Sequence, residues 1–400
     1  KAKIVGSNYA DVMAYVSKKK EAIAPHDSQE RFEQMGVKVI RQYAKFKDRK
    51  TIIAGEYEIT ARRMVLATGS RAKIPNINGL DEVSYLTNET LFNLRKAPSH
   101  LAIIGGGPIG LEMAQAHARL GVKTTLIEMY RIMIGHERRF VEPVEKSLID
   151  DGVNILENTF VNRVEKDKAD IKLHLSSGEV LLVSDLLIAA GRVPNIEQLA
   201  LERAGVEYSE FGVIVDRKLR TTNRSVYAIG DIVEGSRFTH TASYHAGIVL
   251  KKILLGLPSK LRTDHIPQVT YTDPEIASVG MNFEDAVKRF GKKVERSFVN
   301  LKTNDRAITD SKTEGFVEVI LLGRKVIGCS ITSKNAGELI SFWAFVIAKS
   351  IKISNINAMV APYPTLGEVN KRVISEYYAP KVFSNKLLKN YVGIIQRFLK

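Results

Sequence analysis

The stretch Leu101-Ala102-Ile103-Ile104-Gly105-Gly106-Gly107-Pro108-Ile109-Gly110-Leu111-Glu112 determines the fold of the region around it. Its first four residues predict a buried strand, and Pro108 favours the first turn of a helix. Gly105, Gly107 and Gly110 have the G-x-G-x-x-G spacing, in which the glycines allow a tight turn, backbone approach to a pyrophosphate and close packing of helix on strand. The stretch therefore predicts a dinucleotide-binding βαβ unit, and a glycine-rich turn without a ligand is the alternative.

Glu128 ends the next predicted strand, 23 residues after Gly105 (128 minus 105). A carboxylate at this place accepts hydrogen bonds from the ribose hydroxyls of NADH and repels the 2′-phosphate of NADPH. The sequence therefore favours NADH, while Arg131 nearby keeps NADPH open. A solvated charge at a strand end is the other interpretation of Glu128.

Three more turns of small residues follow apolar strands, namely Ala67-Thr68-Gly69, Ala190-Gly191-Arg192 and Ala228-Ile229-Gly230-Asp231. Small residues let the chain pass close to a bound dinucleotide. The carboxylate of Asp231 is placed to accept a hydrogen bond from a ribitol hydroxyl, and an ordinary Gly-Asp turn explains it equally well. Together with the first turn, these segments predict two nucleotide cofactors.

Composition restricts the class of protein. A chain of 400 residues with 44% hydrophobic and 26% charged residues predicts a globular protein of two to four domains. No apolar run approaches the roughly 20 residues of a membrane span, and the first residues carry no secretory signal. The single cysteine, Cys329, is expected in the core and fits a reducing compartment, so we expect a cytoplasmic protein. The net charge of +15 fits phosphate-rich ligands, but no nucleic-acid-binding motif and no metal site is predicted.

Hydrophobic periodicity predicts the main elements. We expect strands at 37–41, 101–104, 123–128, 171–175 and 185–190, and within residues 64–70 an apolar strand that runs straight into a turn of small residues. We expect helices at 11–24, 28–36, 108–120, 137–150, 242–255, 335–348 and 367–377. Alternation of strand and helix in residues 98–221 is typical of a doubly wound parallel sheet. Residues 265–379 mix strands with two helices and predict a separate α+β domain.

The motifs, taken in order, resemble the flavin-dependent pyridine nucleotide-disulfide oxidoreductases. They are Ala67 to Ser70, Gly105 to Glu112, Ala190 to Asn195, Ala228 to Asp231, Thr272 to Gly280 and Pro364 to Glu368. The resemblance runs from about Pro25 to Ala379 and is greatest to the mercuric reductase-like and dihydrolipoamide dehydrogenase-like branches.

The resemblance implies an α/β fold with two doubly wound Rossmann-like domains, the first incomplete, and a C-terminal α+β dimerisation domain. The implied domains are 1–97 and 222–262 for FAD, 98–221 for NAD(P), 263–379 for the dimer interface and 380–400 for a basic amphipathic tail. It further implies a cytoplasmic homodimer with a role in cell redox homeostasis. In it, hydride passes from NADH to FAD and then to a disulfide, a metal ion or a small acceptor.

Site residues carry over from the family position by position. Asp231, after Gly230, would hold the ribitol of FAD, and Thr239 and His240 would lie beside the flavin. The nicotinamide nucleotide would be held by Gly105, Gly107, Pro108, Ile109, Gly110, Leu111 and Glu128. The remaining cofactor-binding residues, close to a bound dinucleotide, would be Ala67, Thr68, Gly69, Gly191 and Arg192. Glu112 matches a carboxylate that pairs with a lysine near the flavin. Tyr363 and Glu368 occupy the positions of the catalytic acid/base pair.

Three departures from the family pattern bear on the acceptor. The opening βαβ unit and the C-x-x-x-x-C redox pair are expected before Lys1 and do not occur in the 400 residues. Tyr363 replaces the histidine of lipoamide and glutathione reductases, and a phenol with a pKa of about 10 is a poor base near pH 7. Mercuric reductases carry a tyrosine at the position of Tyr363. They also usually end in a vicinal cysteine pair that delivers Hg(II), whereas the last four residues here are Arg397-Phe398-Leu399-Lys400.

Two alternatives to a disulfide reductase stay open. One is an NADH diaphorase or quinone reductase without dithiol chemistry, and the other is a non-catalytic nucleotide-binding scaffold or redox sensor. The tail invites a separate hypothesis, in which residues 380–400 form an amphipathic helix on a partner or on the inner face of a membrane. A helix packed on its own domain is the alternative.

Overall fold

The computed structural model describes residues 8–399 and divides them into two compact units. The first unit comprises residues 8–131 and 152–262, and the second comprises 132–151 and 263–399. Each unit therefore contains two separate segments of the chain.

The helices are α1 (Tyr9–Ile23), α2 (Gln29–Gln34), α3 (Pro108–Arg119), α4 (Arg138–Asp150), α5 (Leu201–Ala204), α6 (Thr239–Leu255), α7 (Phe283–Phe290), α8 (Asp305–Thr309), α9 (Ala336–Ala348), α10 (Ile353–Ile356), α11 (Glu368–Phe383) and α12 (Lys386–Phe398). The strands are β1 (Ala44–Phe46), β2 (Thr51–Ala54), β3 (Tyr57–Thr60), β4 (Met64–Leu66), β5 (Ser70–Ala72), β6 (His100–Ile104), β7 (Lys123–Ile127), β8 (Val153–Leu156), β9 (Val161–Asp167), β10 (Asp170–Leu175), β11 (Val180–Val183), β12 (Asp185–Ile188), β13 (Arg192–Pro194), β14 (Tyr208–Ser209), β15 (Gly212–Val213), β16 (Val226–Ala228), β17 (Gln268–Thr270), β18 (Glu275–Gly280), β19 (Val294–Asn300), β20 (Phe316–Leu322) and β21 (Lys325–Ser333).

The helices predicted from periodicity are confirmed to within a few residues, except that α11 runs six residues beyond Tyr377 (383 minus 377). The strand predicted at 37–41 is wrong, because this segment pairs with no strand of the described chain. Instead the Val37 N–H donates to the Phe32 carbonyl (3.0 Å) and closes the end of α2. The Val37 side chain is 49% exposed, so no burial favours a strand there.

A four-stranded parallel sheet, in the order β12-β6-β7-β8, forms the centre of the first unit. The apolar run that precedes the glycine turn supplies β6, in which Leu101, Ala102 and Ile103 are fully buried. Such continuous apolar strands are typical of parallel sheets, since helices or further strands cover both faces. Helix α3 connects β6 to β7, and the glycine turn lies at the carboxyl end of β6.

Two short strand pairs bring distant parts of the first unit together. Strand β4 pairs in parallel with β16, and β5 pairs antiparallel with β13. The turns that follow β4 and β16 therefore start at the same sheet edge, because carboxyl ends of parallel strands meet there. This pairing brings the segment around Thr68 close to those around Asn195 and Asp231.

The second unit is built on an antiparallel five-stranded sheet in the order β17-β18-β21-β20-β19. Helices α9 and α11 pack on it through a core that contains Trp343, whose Nε1–H donates to the Asn370 side-chain oxygen (2.8 Å). Cys329 belongs to the same core and is 1% exposed, which confirms the prediction of a buried cysteine. Burial raises the pKa of its thiol well above the ordinary value, which disfavours the reactive thiolate.

Candidate functional site

The glycines of the turn after β6 meet different steric requirements. Gly105 has φ +118°, and a Cβ there would lie 2.4 Å from the Ala189 carbonyl oxygen. A Cβ on Gly110 would lie 1.9 Å from the Gly105 carbonyl oxygen, so this glycine is needed for helix α3 to pack against the turn. Gly107 differs, since its added Cβ would meet nothing within 4 Å. The turn thus leaves open space at the position where a pyrophosphate would approach the backbone.

Glu128, which follows β7, is tied directly to this turn. Its Oε2 accepts a hydrogen bond from the Gly106 N–H (2.6 Å), and its Oε1 accepts one from the Tyr130 N–H (3.0 Å). Each carboxylate oxygen can accept a further bond. The glycine turn, the N-terminus of α3 and the Glu128 carboxylate therefore lie together at the carboxyl end of β6, with Pro108, Ile109 and Leu111 in the first turn of α3.

The turn after β4 is joined to the segment that follows β13. Thr68 Oγ1 donates to the Asn195 carbonyl (2.8 Å), and Asn195 Nδ2 donates back to the Thr68 carbonyl (2.9 Å). The Asn195 N–H also donates to the Gly69 carbonyl (3.0 Å). These bonds fix the small-residue turn Ala67-Thr68-Gly69 against the segment that follows β13. Gly69 (φ +70°) and Gly191 (φ +104°) would each direct a Cβ into open space, which leaves room for a bound dinucleotide.

Asp231 lies in a short polar network with Ser70 and Arg192. The Ser70 hydroxyl donates to Asp231 Oδ2 (2.7 Å) and accepts from Arg192 Nε (2.7 Å), and Arg192 Nε is 3.7 Å from the same carboxylate oxygen. Within the described residues, Asp231 Oδ1 makes no hydrogen bond. The carboxylate is thus held in place by one oxygen and retains an acceptor for a ligand hydroxyl.

The turn around Gly230 is supported from helix α6. The Gly230 N–H donates to His245 Nδ1 (3.2 Å), and burial lowers the pKa of His245 below its ordinary value, which favours the neutral acceptor. Thr239 and His240 begin α6 and are exposed, with the rings of Phe238 and His240 stacked at 5.3 Å. Sequence reasoning had assigned no role to His245, because nothing in its local pattern connects it with Gly230.

Two predicted catalytic residues lie in the second unit. The Tyr363 hydroxyl donates to Asp305 Oδ2 (2.9 Å), and this bond raises the pKa of the phenol above its ordinary value. Glu368 occupies the first turn of α11 and lines a cleft of about 380 Å³ together with Asp305 and Arg372. Asp305 was missed by sequence reasoning, since it precedes Tyr363 by 58 residues. The interaction keeps Tyr363 protonated, so it is suited to donate a hydrogen bond and unsuited to act as a base.

Thr365 precedes α11 but does not cap it. Its hydroxyl donates to the Pro362 carbonyl (2.7 Å), and the N-cap residue is Gly367, which makes no side-chain capping bond. Asn304 Nδ2 donates to the Thr365 carbonyl (3.1 Å) and thereby holds this loop beside α8. The Thr365 hydroxyl therefore stabilises the turn that precedes α11 and takes no part in capping the helix.

Comparison with known proteins agrees with this arrangement. Residues 5–246 match the model of the pyridine nucleotide-disulphide oxidoreductases, and residues 266–374 match the dimerisation domain of that family. A mercuric reductase of Bacillus cereus is 33% identical over 83% of this chain and 54% of its own. A dihydrolipoyl dehydrogenase of Geobacillus stearothermophilus is 31% identical over 83% of this chain and 73% of its own. The HOCl-induced flavoprotein disulfide reductase RclA of Escherichia coli is 25% identical, with a TM-score of 0.82 over 92% of this chain and 86% of its own.

The chain belongs to the pyridine nucleotide-disulphide oxidoreductase family, whose members use FAD and NAD(P)H. This confirms the expected α/β Rossmann-like fold with a C-terminal dimerisation domain. The chain spans between about half and two thirds of the length of the mercuric reductases that it matches. Within residues 8–399, no helix combines the length and the hydrophobicity that crossing a membrane requires.

Proposed function

We propose that the protein acts as an FAD-dependent NAD(P)H oxidoreductase of the disulfide reductase type, similar to mercuric reductases. The observation that carries this proposal is the presence of two separate nucleotide-binding arrangements in the first unit. One is the glycine turn with Glu128, and the other is the network of Asp231, Ser70 and Arg192 beside the Thr68 turn. Bound FAD would accept a hydride from NADH and pass the electrons on singly or in pairs.

The residues of this chain would then bind and orient the two cofactors. Glu128 would accept hydrogen bonds from the adenosine ribose, and the open backbone at Gly107 would face the pyrophosphate. Asp231 would accept a hydrogen bond from the flavin side chain, while Gly69 and Gly191 leave space for it. The proposed preference is for NADH, because the Glu128 carboxylate would repel a 2′-phosphate.

The acceptor is proposed to be a disulfide, a metal ion or a small molecule. One observation favours the diaphorase or quinone reductase alternative, in which no thiol has to be deprotonated. The Tyr363 hydroxyl donates to Asp305, which raises the pKa of a phenol that is already a poor general base near pH 7. Acceptors that take electrons without proton transfer to Tyr363 fit this geometry best.

We further propose a homodimer, which the matched dimerisation domain supports. The domain boundaries at 97, 221, 262 and 379 and a cytoplasmic location with contact at the inner face of a membrane stay predictions.

Reconstitution tests the proposed function. The purified protein is incubated with FAD, passed through gel filtration and assayed for retained flavin and for NADH oxidation with quinone, ferricyanide or a disulfide. We expect retained flavin and turnover with NADH that exceeds turnover with NADPH. NADH binding without flavin retention or turnover would favour the scaffold or redox sensor and contradict the proposal.

A further inference from the structure

We propose that helix α12 binds the surface of an anionic lipid bilayer with its apolar side inserted among the headgroups. The helix spans Lys386–Phe398, and none of its residues is buried. Two independent properties of this helix, its uncovered apolar side and the charge of the opposite side, point to such a surface. The inference does not depend on the proposed function.

The apolar residues of α12 lie on one side of the helix. At 100° per residue they fall within about 160° of the helical circumference. They are Leu387, Leu388, Tyr391, Val392, Ile394, Ile395 and Phe398. All are exposed except Ile395, which is half-buried, and Leu387 and Phe398 are 80% and 83% exposed. A continuous apolar surface of this kind indicates a binding site, because single chains seldom leave one uncovered.

The opposite side of α12 is cationic. Lys386, Lys389 and Arg397 lie there, and no acidic residue occurs between Tyr377 and Lys400. None of the three cations forms an ion pair with a described residue, so their charges are available to a ligand. An amphipathic helix with Lys and Arg on one face and Leu, Ile and Phe on the other is typical of helices that lie in a membrane interface.

The end of α11, which precedes α12, is anchored to the sheet of the second unit. Lys381 forms an ion pair with Glu295 of β19 (2.5 Å), and the Tyr377 hydroxyl donates to the same carboxylate (2.8 Å). Helix α12 begins five residues after Lys381 (386 minus 381) with its own N-cap, since the Asn385 side chain accepts from the Leu387 and Leu388 N–H groups (3.0 and 3.2 Å). The start of α12 is thus stabilised by a residue next to it in the chain.

The positive charge of α12 favours a lipid surface, rather than a second copy of the same helix, as its binding partner. Two copies of α12 packed through their apolar sides would direct Lys386, Lys389 and Arg397 of each copy away from the contact, where the partner helix offers no carboxylate to pair with them. The apolar side is also wider than the seam of a two-stranded coiled coil. An anionic bilayer satisfies both sides, because the apolar residues enter the acyl boundary while the cations contact lipid phosphates. With 13 residues the helix is only about 20 Å long, too short to span the roughly 30 Å hydrocarbon core.

Vesicle co-sedimentation of the full chain tests the inference. Vesicles of phosphatidylcholine with phosphatidylglycerol are compared with vesicles of phosphatidylcholine alone. The apolar variant is Leu387→Ser/Ile394→Ser/Phe398→Ser, and the charge variant is Lys386→Gln/Lys389→Gln/Arg397→Gln. The matched control is Lys18→Gln/Lys19→Gln/Lys20→Gln, which removes three positive charges from exposed positions of α1.

We expect binding to the anionic vesicles only. The charge variant should bind roughly a hundredfold more weakly, at about fivefold per cation, and the apolar variant should not sediment. The control should bind like the wild-type chain. Equal sedimentation with both vesicle types, or of all variants, would overturn the inference. Light scattering provides the second readout, and conversion of a dimer to a monomer by the apolar variant would show that a second copy covers α12.

Discussion

Replacement of Gly107 by alanine separates the binding role of the glycine turn from its folding role. Gly107 has φ −84° and ψ −174°, a backbone conformation that any residue adopts. The added methyl group meets no atom within 4 Å, so the fold accommodates it. We expect the free energy of unfolding to stay the same or to rise by about 0.4–1 kcal/mol, because alanine restricts the unfolded chain.

The same methyl group enters the space that the turn leaves for a pyrophosphate. We therefore expect the affinity for NADH to fall by at least about tenfold, which corresponds to about 1.4 kcal/mol. Gly110→Ala is the matched control for stability. Its methyl carbon would lie 1.9 Å from the Gly105 carbonyl oxygen, and the backbone displacement should cost about 1–3 kcal/mol of unfolding free energy.

Urea unfolding followed by far-ultraviolet circular dichroism measures the stability of both variants. The single tryptophan, Trp343, lies in the second unit and would not report on the turn. NADH affinity is measured by fluorescence titration. The reasoning is refuted if Gly107→Ala is destabilised as strongly as Gly110→Ala, or if it binds NADH as tightly as the wild-type chain does.

Four further predictions concern single side chains. Glu128→Ala removes the carboxylate that faces the glycine turn. It should reduce the preference for NADH, expressed as kcat/KM for NADH divided by kcat/KM for NADPH, by about tenfold or more. An unchanged preference would show that Glu128 does not contact the nucleotide. Asp231→Ala should lower the flavin absorbance that survives gel filtration while light scattering still reports the wild-type assembly, and full retention of flavin would contradict the assigned role. Asp305→Asn should lower the pKa of Tyr363 towards about 10, as measured by a phenolate difference titration against Tyr363→Phe, and an unaltered titration would argue against the Asp305 interaction. His117→Gln should flatten the dependence of stability on pH. Burial lowers the pKa of His117, so the unfolded chain takes up the proton at a higher pH than the folded chain does. The free energy of unfolding of the wild-type chain should therefore fall by up to about 1.4 kcal/mol per pH unit as the pH drops below about 6.5. Plots of unfolding free energy against pH that run parallel for the two proteins from pH 7.5 to 5 would contradict this account.

Local patterns in the sequence predicted the elements around the glycine turn, because strand, turn and helix there depend on neighbouring residues. Leu101 to Ile104 and the helix from Pro108 were recognised by apolar periodicity and by the positions of proline and glycine. The strand predicted at 37–41 failed, since a short apolar run needs a partner strand and this one has none in the described chain.

Partners that are distant in the sequence could not be predicted. Thr68 and Asn195 are 127 residues apart, and their reciprocal hydrogen bonds depend on the pairing of β5 with β13. Asp305 meets Tyr363 at the start of α8, where the neighbouring Asn304 donates to the Thr365 carbonyl and holds the loop before α11. A single sequence carries no signal for such contacts, whereas the types of residue that a nucleotide requires are visible in each motif.

The assignment of α4 to the second unit has a consequence for synthesis on the ribosome. Arg139 of α4 pairs with the buried Glu318, 179 residues later, and the rings of Phe140 and Phe316 lie 4.5 Å apart. At roughly 5–20 residues per second, a newly made α4 waits about 9–36 s for β20 to emerge. During that time its apolar side is a target for chaperones. The order of synthesis is nevertheless favourable, because the arginine is already present when the glutamate has to be buried.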